Sequence, residues 1–241
     1  MSPKEKADTA GIPPEGNRLI NGLPARQRID VLARCDRVEL AFDSVLCEAG
    51  LPFEYAYFPV NGNISLVNAF DDHQPFETES IGSEGMLGLA LILDINRASQ
   101  QGIVQTPCQA LRIGAGDLQA ALIDYPALLP ILQRYLYVVV AELLQSAGCL
   151  RFHDAGKRLA RGLLLAHDRA GTDKLPLTHL LLADRLGVQR GAVTIAAIRL
   201  QRTGIIRYRR GKISVIDRPG LEAASCGCYR ASIDHYNSMF P

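Results

Sequence analysis

Leu177–Leu200 reads LTHLLLADRLGVQRGAVTIAAIRL, and the rest of the chain can be read outward from it. The spacing predicts two short helices joined by a tight turn. Pro176 keeps the chain extended up to Thr178, a candidate N-cap. Leu181, Leu182 and Leu186 give the first helix an apolar stripe, Gly187 breaks it, and Val188 fills the corner. A second helix runs from about Gln189 to Thr203 and stops at Gly204. Val193, Ala196, Ala197 and Leu200 fall at i, i+3, i+4 and i+7, one buried stripe. The small Ala183, Ala196 and Ala197 let the two helices cross closely. This is the helix-turn-helix pattern, whose second helix can enter a DNA major groove.

The next residues extend the pattern. IIRYRRGKISVI, from Ile205 to Ile216, alternates as two strands around a turn at Arg210-Gly211. A hairpin placed there is a wing, and Arg209, Arg210 and Lys212 make its tip basic. Those three, with Thr178 at a helix start, are the expected phosphate contacts. The expected base readers are Gln189, Arg190, Thr194 and Ile195, which lie off the apolar stripe. Arg190 suits a guanine, because a guanidinium can pair both O6 and N7. Ile195 or Ala192 suits a thymine methyl.

The order LTHLLLADRLGVQRGAVTIAAIRLQRTGIIRYRRGKI resembles the winged helix-turn-helix of Crp/Fnr-type transcription regulators. The resemblance covers about residues 20–222 and is looser in the N-terminal half. It implies an N-terminal β-roll, a long dimerisation helix and a C-terminal DNA-binding domain. It also places Arg190 at the family's first base-reading arginine. Gly191 and Ile195 stand where nucleotide-responsive relatives often carry Glu and Arg, so the operator sequence does not transfer.

Charge agrees with such a division. Net charge is only +1 over 241 residues, but residues 1–150 carry 10 basic and 18 acidic side chains, and residues 151–230 carry 16 and 6. A half at −8 beside a half at +10 points to a basic module for polyanions attached to an acidic domain. With 48% hydrophobic and 21% charged residues, ordinary globular cores can form. No apolar run is expected to span a bilayer, and MSPKEKADTAGIPPEG lacks a signal peptide's apolar core, so the expected location is the cytoplasm.

The expected class is α+β, with five parts: a disordered segment 1–18, a β-roll 19–126, a dimerisation helix 127–150, the winged helix-turn-helix 151–222, and a tail 223–241. Leu23–Cys35 reads as an amphipathic helix started by Pro24. From Val38 to Ile113 short apolar segments alternate with turns: VELAF, YAYFPV, NISLVNAF, FETESI, GIVQTP and CQALRI. Asn61-Gly62 predicts a hairpin, and Asp71-Asp72 the next turn. Gly116–Tyr125 reads as a short helix.

Ile81–Gly88 resembles the phosphate-binding cassette of cyclic-nucleotide-binding relatives. Met86 stands where their Glu would be, and Ala98-Ser99 where their Arg-Ser pair would be, with Arg97 one residue early. Gly85, Met86, Leu87, Arg97 and Ser99 are therefore the candidate effector pocket. No cofactor is expected, the effector is unknown, and control by cyclic AMP is not expected. The simpler reading of this glycine cluster is a tight inter-strand turn.

Leu129, Leu132, Leu136, Val139 and Leu143 repeat at threes and fours, a heptad seam. Ile131, Tyr135, Val138, Val140 and Leu144 make other faces apolar too. A helix apolar on most faces must be covered on most faces. One side is expected on the roll and the other on the same helix of a second subunit, a homodimer. Asp154 caps the next helix, which Gly171 ends. Its Leu159, Leu163 and Leu164 face a core, and Lys157, Arg158 and Arg161 are expected on a solvated face.

Cys149-x-x-x-His153 and Cys226-Gly-Cys228, with His235 near, carry zinc-ligand chemistry but no zinc-finger spacing. The favoured reading is small buried hydrophobes and a free-thiol tail, with a metal site or a redox pair as the alternatives. The resemblance to an Fnr-like iron–sulfur sensor would need a cysteine cluster near the N-terminus, whereas the first cysteine is Cys35. No nucleophile–base arrangement is legible among His73, His153, His167, His179 and His235, so no enzyme is expected. Expected partners are double-stranded DNA and a second copy of the chain, with RNA polymerase a further candidate and no membrane. The alternative function is an effector-binding module acting through protein partners.

Overall fold

Two sheets fold over one another in the N-terminal half of the computed structural model, which describes residues 16–70 and 73–240. The disorder expected for the N-terminus and the turn at Asp71-Asp72 lie outside the described residues, save residues 16–18. There Asn17 is fully buried. It caps α1 (Arg18–Asn21), accepting from the Leu19 and Ile20 amides at 3.0 and 3.4 Å. Its amide donates to the carbonyls of Pro59 and Gly85 at 3.0 and 2.7 Å. α2 (Ala25–Leu32) follows Pro24.

The first sheet holds β1 (Asp36–Leu40), β7 (Cys108–Gly114) and β3 (Tyr55–Pro59) in that order. The second holds β2 (Val45–Cys47), β6 (Gln101–Thr106), β4 (Asn63–Phe70) and β5 (His73–Ile81). All pairs are antiparallel. Asn61-Gly62 therefore does not close a hairpin: β3 pairs with β7, and β4 with β5 and β6. The turn carries the chain from one sheet to the other. Gly62 has φ +63°, and a Cβ there would lie 2.5 Å from that of Cys108. Asn61 accepts from the Gln109 amide at 2.8 Å, so its side chain splices the corner onto β7. A local turn signal cannot tell a hairpin from such a corner, because strand partners are set by burial. β2, three residues long, carries no legible alternation.

After a 3-10 turn at Leu89–Leu93 and α3 (Ala115–Asp124) comes α4 (Leu128–Phe152). By length and composition α4 could cross a membrane, a correction to the expectation that no segment could. Its N-terminal half is packed into the core, and its C-terminal half is largely exposed. Leu128, Ile131, Leu132, Tyr135 and Val138 are buried, the first four in one cluster with Phe58, Ile64, Ile81 and Leu91. The seam is corrected at one position, Leu132. Leu132 is 0% exposed and faces its own roll, Leu129, Leu136 and Val139 are partly buried, and only Leu143 stands clear. The exposed apolar line is Tyr137, Val140 and Leu144, at 57, 46 and 71%. When a helix is apolar all round, spacing alone does not say which stripe its own domain takes.

Asp154 caps α5 (Ala155–Ala170) through the Gly156 and Lys157 amides, and Gly171 ends it at φ +59°. A second core gathers Leu159, Leu163 and Leu164 of α5 with the helix-turn-helix and wing. Arg161 is not on a solvated face. It is 9% exposed, paired with Glu142 of α4 and bonded to Ser146 and Ser232. Nor is the C-terminus a loose tail. Beyond the wing, α8 (Arg218–Ala224) leads to α9 (Cys228–Met239), which packs on α4 and α5. Tyr229 holds it by donating to Asp168 at 2.9 Å.

The two domains meet through charge. Arg169, at the end of α5, sits 2.8 Å from Glu84. Arg185, in the first helix of the helix-turn-helix, sits 3.0 Å from Glu77 on β5, both side chains 13% exposed. Burial alone would push the Glu84 carboxyl up, but the Arg169 guanidinium outweighs it and holds it below the usual carboxylate range. Glu79, between Arg169 and the Tyr135 hydroxyl, is different: burial pushes it up to about 7, although Arg169 opposes this. Glu84 and Glu142 also face it and raise it further. A folded carboxyl above its ordinary value stabilises only while it stays protonated. That contribution is whole below pH 4.5 and lost as pH rises through about 7. Glu79→Gln is expected to remove that loss, raising stability at pH 8 by roughly 2–3 kcal/mol and leaving it little changed near pH 4.5. Calorimetric Tm against pH checks this; an equal slope in both proteins would refute it.

Candidate nucleic-acid interface

α6 (His179–Leu186) and α7 (Arg190–Arg202) are the two helices expected from Leu177–Leu200. Thr178 caps α6, its hydroxyl accepting from the Leu181 amide at 3.1 Å. Gly187 takes φ +55°, the left-handed value that turns the chain into α7. Val193, Ala196, Ala197 and Leu200 are all at most 7% exposed. Their burial against α5 and α6 aims the opposite face of α7 outward.

Gln189, Arg190 and Ile195 lie on that outer face. Thr194 does not join them. Its hydroxyl bonds the Arg190 carbonyl at 3.0 Å and meets His179 Nδ1 at 3.0 Å, so it is committed within the motif. Thr178 likewise spends its hydroxyl on the cap. Ile198 and Arg199, not among the expected base readers, continue the outer face one turn on. Their signal was present: both sit beside, not on, the Val193–Leu200 stripe.

The wing pairs β9 (Ile206–Arg209) with β10 (Lys212–Val215), and a third strand not foreseen, β8 (Lys174–Leu175), joins β10. Arg210 and Gly211 have φ +49° and +76°, the two positive values that a two-residue turn matching strand twist requires. Arg209, Arg210 and Lys212 are exposed at the tip. The wing is fastened to α7 by Gln201, which accepts from the Tyr208 amide at 2.7 Å. It is fastened to α6 by His179, whose ring stacks on Tyr208 at 4.1 Å. Burial, and then the charge of Arg190, lower the His179 pKa, which favours the neutral ring that stacks.

The candidate effector residues do not converge. Met86 and Leu87 are 1 and 2% exposed and fill the roll core, whereas Arg97 and Ser99 face outward on either side of buried Ala98. Gly85 is a close approach: a Cβ there would lie 2.0 Å from the Tyr135 hydroxyl. The loop is thus packed on α4. Cys149, Cys226 and Cys228 are buried free thiols, as the favoured reading has it, but they are not scattered. Cys149, His153, Cys226 and Cys228 bring one donor atom each to within 4.8 Å of one another, and His235 is not in the group.

Comparison with known proteins agrees with both halves. Residues 37–125 match the cyclic nucleotide-binding domain, and residues 157–224 match the Crp-like helix-turn-helix domain. The chain is 23% identical over 181 residues to the global nitrogen regulator of Synechococcus elongatus, covering 71% of this chain and 82% of that one. Its fold is similar to that of the c-di-GMP-responsive global regulator CLP of Xanthomonas campestris. The TM-score is 0.66 at 20% identity, covering 80% of this chain and 99% of that one. A Crp-family transcriptional regulator of Thermus thermophilus gives TM-score 0.66 at 16% identity, covering 78% and 96%. With its cyclic nucleotide-binding-type roll, long connecting helix and Crp-like helix-turn-helix in this order, the chain belongs to the Crp/Fnr-type transcription regulators.

Proposed function

We propose that the chain binds palindromic duplex operators as a homodimer and regulates transcription from them. The observation that carries this reading is the outward first turn of α7, with Gln189, Arg190 and Ile195, beside a wing tip bearing Arg209, Arg210 and Lys212. Arg190 reads a guanine edge and Ile195 a thymine methyl, while the wing tip holds phosphates. Thr178 contributes its helix terminus rather than its hydroxyl.

Dimerisation uses the exposed line Tyr137, Val140 and Leu144, flanked by Leu143. These follow a 3–4 spacing, and an apolar face this exposed calls for a partner helix. The two α7 helices then address half-sites about one helical turn apart. Control does not run through cyclic AMP: Met86 occupies the place of the expected carboxylate, and Arg97 faces away from the roll core. Regulation acts instead on the charged seam between roll and DNA-binding domain, Arg185–Glu77 and Arg169–Glu84, and is relayed along α4. Two arrangements of these domains of similar energy make a two-state switch.

The wing supplies the direct test. With Arg209, Arg210 and Lys212 all changed to alanine, three phosphate contacts are lost from each of the dimer's two wings. The slope of log affinity against log salt should shrink by about 5.4 in magnitude, with sequence preference retained. Fluorescence anisotropy on a labelled duplex at several salt concentrations measures it; an unchanged slope would remove the wing from the interface.

A further inference from the structure

Cys149 and His153 stand one helical turn apart at the C-terminal end of α4, and Cys226 and Cys228 stand where α8 turns into α9. More than 70 residues separate the pairs in sequence. In the fold the Cys149 and Cys226 sulfurs are 3.6 Å apart, and the Cys228 sulfur is 3.5 Å from His153 Nδ1. All four donors lie within 4.8 Å of one another, and the three thiols are at most 7% exposed. A tetrahedral zinc ion with Zn–S near 2.3 Å and Zn–N near 2.0–2.1 Å sets S···S edges of about 3.8 Å and S···N edges of about 3.6 Å. The closest pairs already have those lengths.

We propose that these four side chains bind one zinc ion in a closed Cys3His site that clamps the end of α4 to the C-terminal helix. The surroundings suit such an ion. Three thiolates and a neutral imidazole around Zn2+ carry one net negative charge, and Arg158 and Arg161 lie within electrostatic reach of Cys149. Gln145 donates to the Cys228 sulfur at 3.0 Å, the kind of outer contact that orients a thiolate ligand. With four protein donors no position is left for substrate, so the site is structural rather than catalytic. A polynuclear iron–sulfur core would have to lie between the donors, and atoms this close leave no room for it. A Cys149–Cys226 disulfide would use two of the four groups and leave Cys228 and His153 without a role.

The clamp spans the junction where α4 gives way to α5, so the ion fixes the angle at which the DNA-binding domain leaves the connecting helix. This consequence rests on the DNA-binding reading; the site itself does not.

The test begins with full-length protein purified under reducing conditions, without a polyhistidine tag. Elemental analysis should find about one zinc per chain after dialysis. Titration of the metal-free protein with Co2+ should give the intense visible bands of tetrahedral thiolate coordination, saturating at about one equivalent. Cys226→Ser with Cys228→Ser should lose the metal, whereas Cys35→Ser with Cys47→Ser should keep it. If the first pair fails to fold, the cobalt spectrum of the natural sequence still decides. Octahedral cobalt bands, no stoichiometric metal, or a Cys149–Cys226 disulfide in freshly isolated protein would overturn the assignment. Loss of zinc without change in DNA affinity would overturn the consequence alone.

Discussion

Leu144→Arg is expected to leave the chain folded, convert the dimer to a monomer, and weaken binding to a palindromic duplex by about 10²–10⁴-fold. Leu144 is 71% exposed on α4, so an arginine there costs the isolated chain little. Across a two-fold helix pair the same change acts twice. It removes two buried leucines, each contributing about 1.5–3 kcal/mol, and sets two like charges face to face. Once the halves separate, each DNA-binding domain must find its half-site alone, and the gain from linkage disappears. Leu132→Ala is the contrast. Leu132 is fully buried against the roll, so its truncation should cost about 2–5 kcal/mol of stability with the dimer intact. Sedimentation velocity separates the two. A dimeric Leu144→Arg protein would refute the seam Tyr137–Val140–Leu144.

Arg190→Ala is expected to cost about 1–3 kcal/mol per half-site, hence about 2–6 kcal/mol for the dimer on the preferred operator, a factor of roughly 30–25,000, and to relax the base preference at one position of each half-site. The side chain stands exposed on the first turn of α7, from which a recognition helix reaches base edges. The loss should fall unequally across sequences, unlike that of a wing substitution. Affinities for the operator and for duplexes altered one base pair at a time measure this. A uniform loss over all duplexes would make Arg190 a phosphate contact.

The parts of this molecule legible in its sequence are those fixed locally. Caps at Thr178 and Asp154, the left-handed glycines 171 and 187, and the Val193–Leu200 stripe each depend on residues within four positions. They predicted α5, α6 and α7 nearly to the residue. The Arg210-Gly211 turn was legible for the same reason. What failed needed knowledge of partners far along the chain. Asn61-Gly62 looks like a hairpin until β3 and β4 are seen to belong to different sheets. The stripe of α4 facing the roll was decided by the shape of the roll, so Leu132 was assigned to the wrong side. Arg161 looked solvated because Glu142, 19 residues earlier, is on another helix. The acids Glu77, Glu79 and Glu84 were a readable hint of a docking face for the basic half. The two halves of the cysteine cluster, Cys149-x-x-x-His153 and Cys226-Gly-Cys228, were each legible, but not that they join, since they meet only where α9 packs on α4.

The proposed function depends on the chain's acting as a dimeric, sequence-specific DNA-binding regulator. Selection of bound sequences from a random duplex pool decides this, using purified full-length protein at near-physiological salt, in parallel with and without cyclic AMP. A two-fold palindrome with half-site centres about 10 base pairs apart is predicted, enriched equally in both arms. A palindrome recovered only with cyclic AMP would overturn the proposed mode of control; no enriched sequence in either arm would contradict sequence-specific regulation itself.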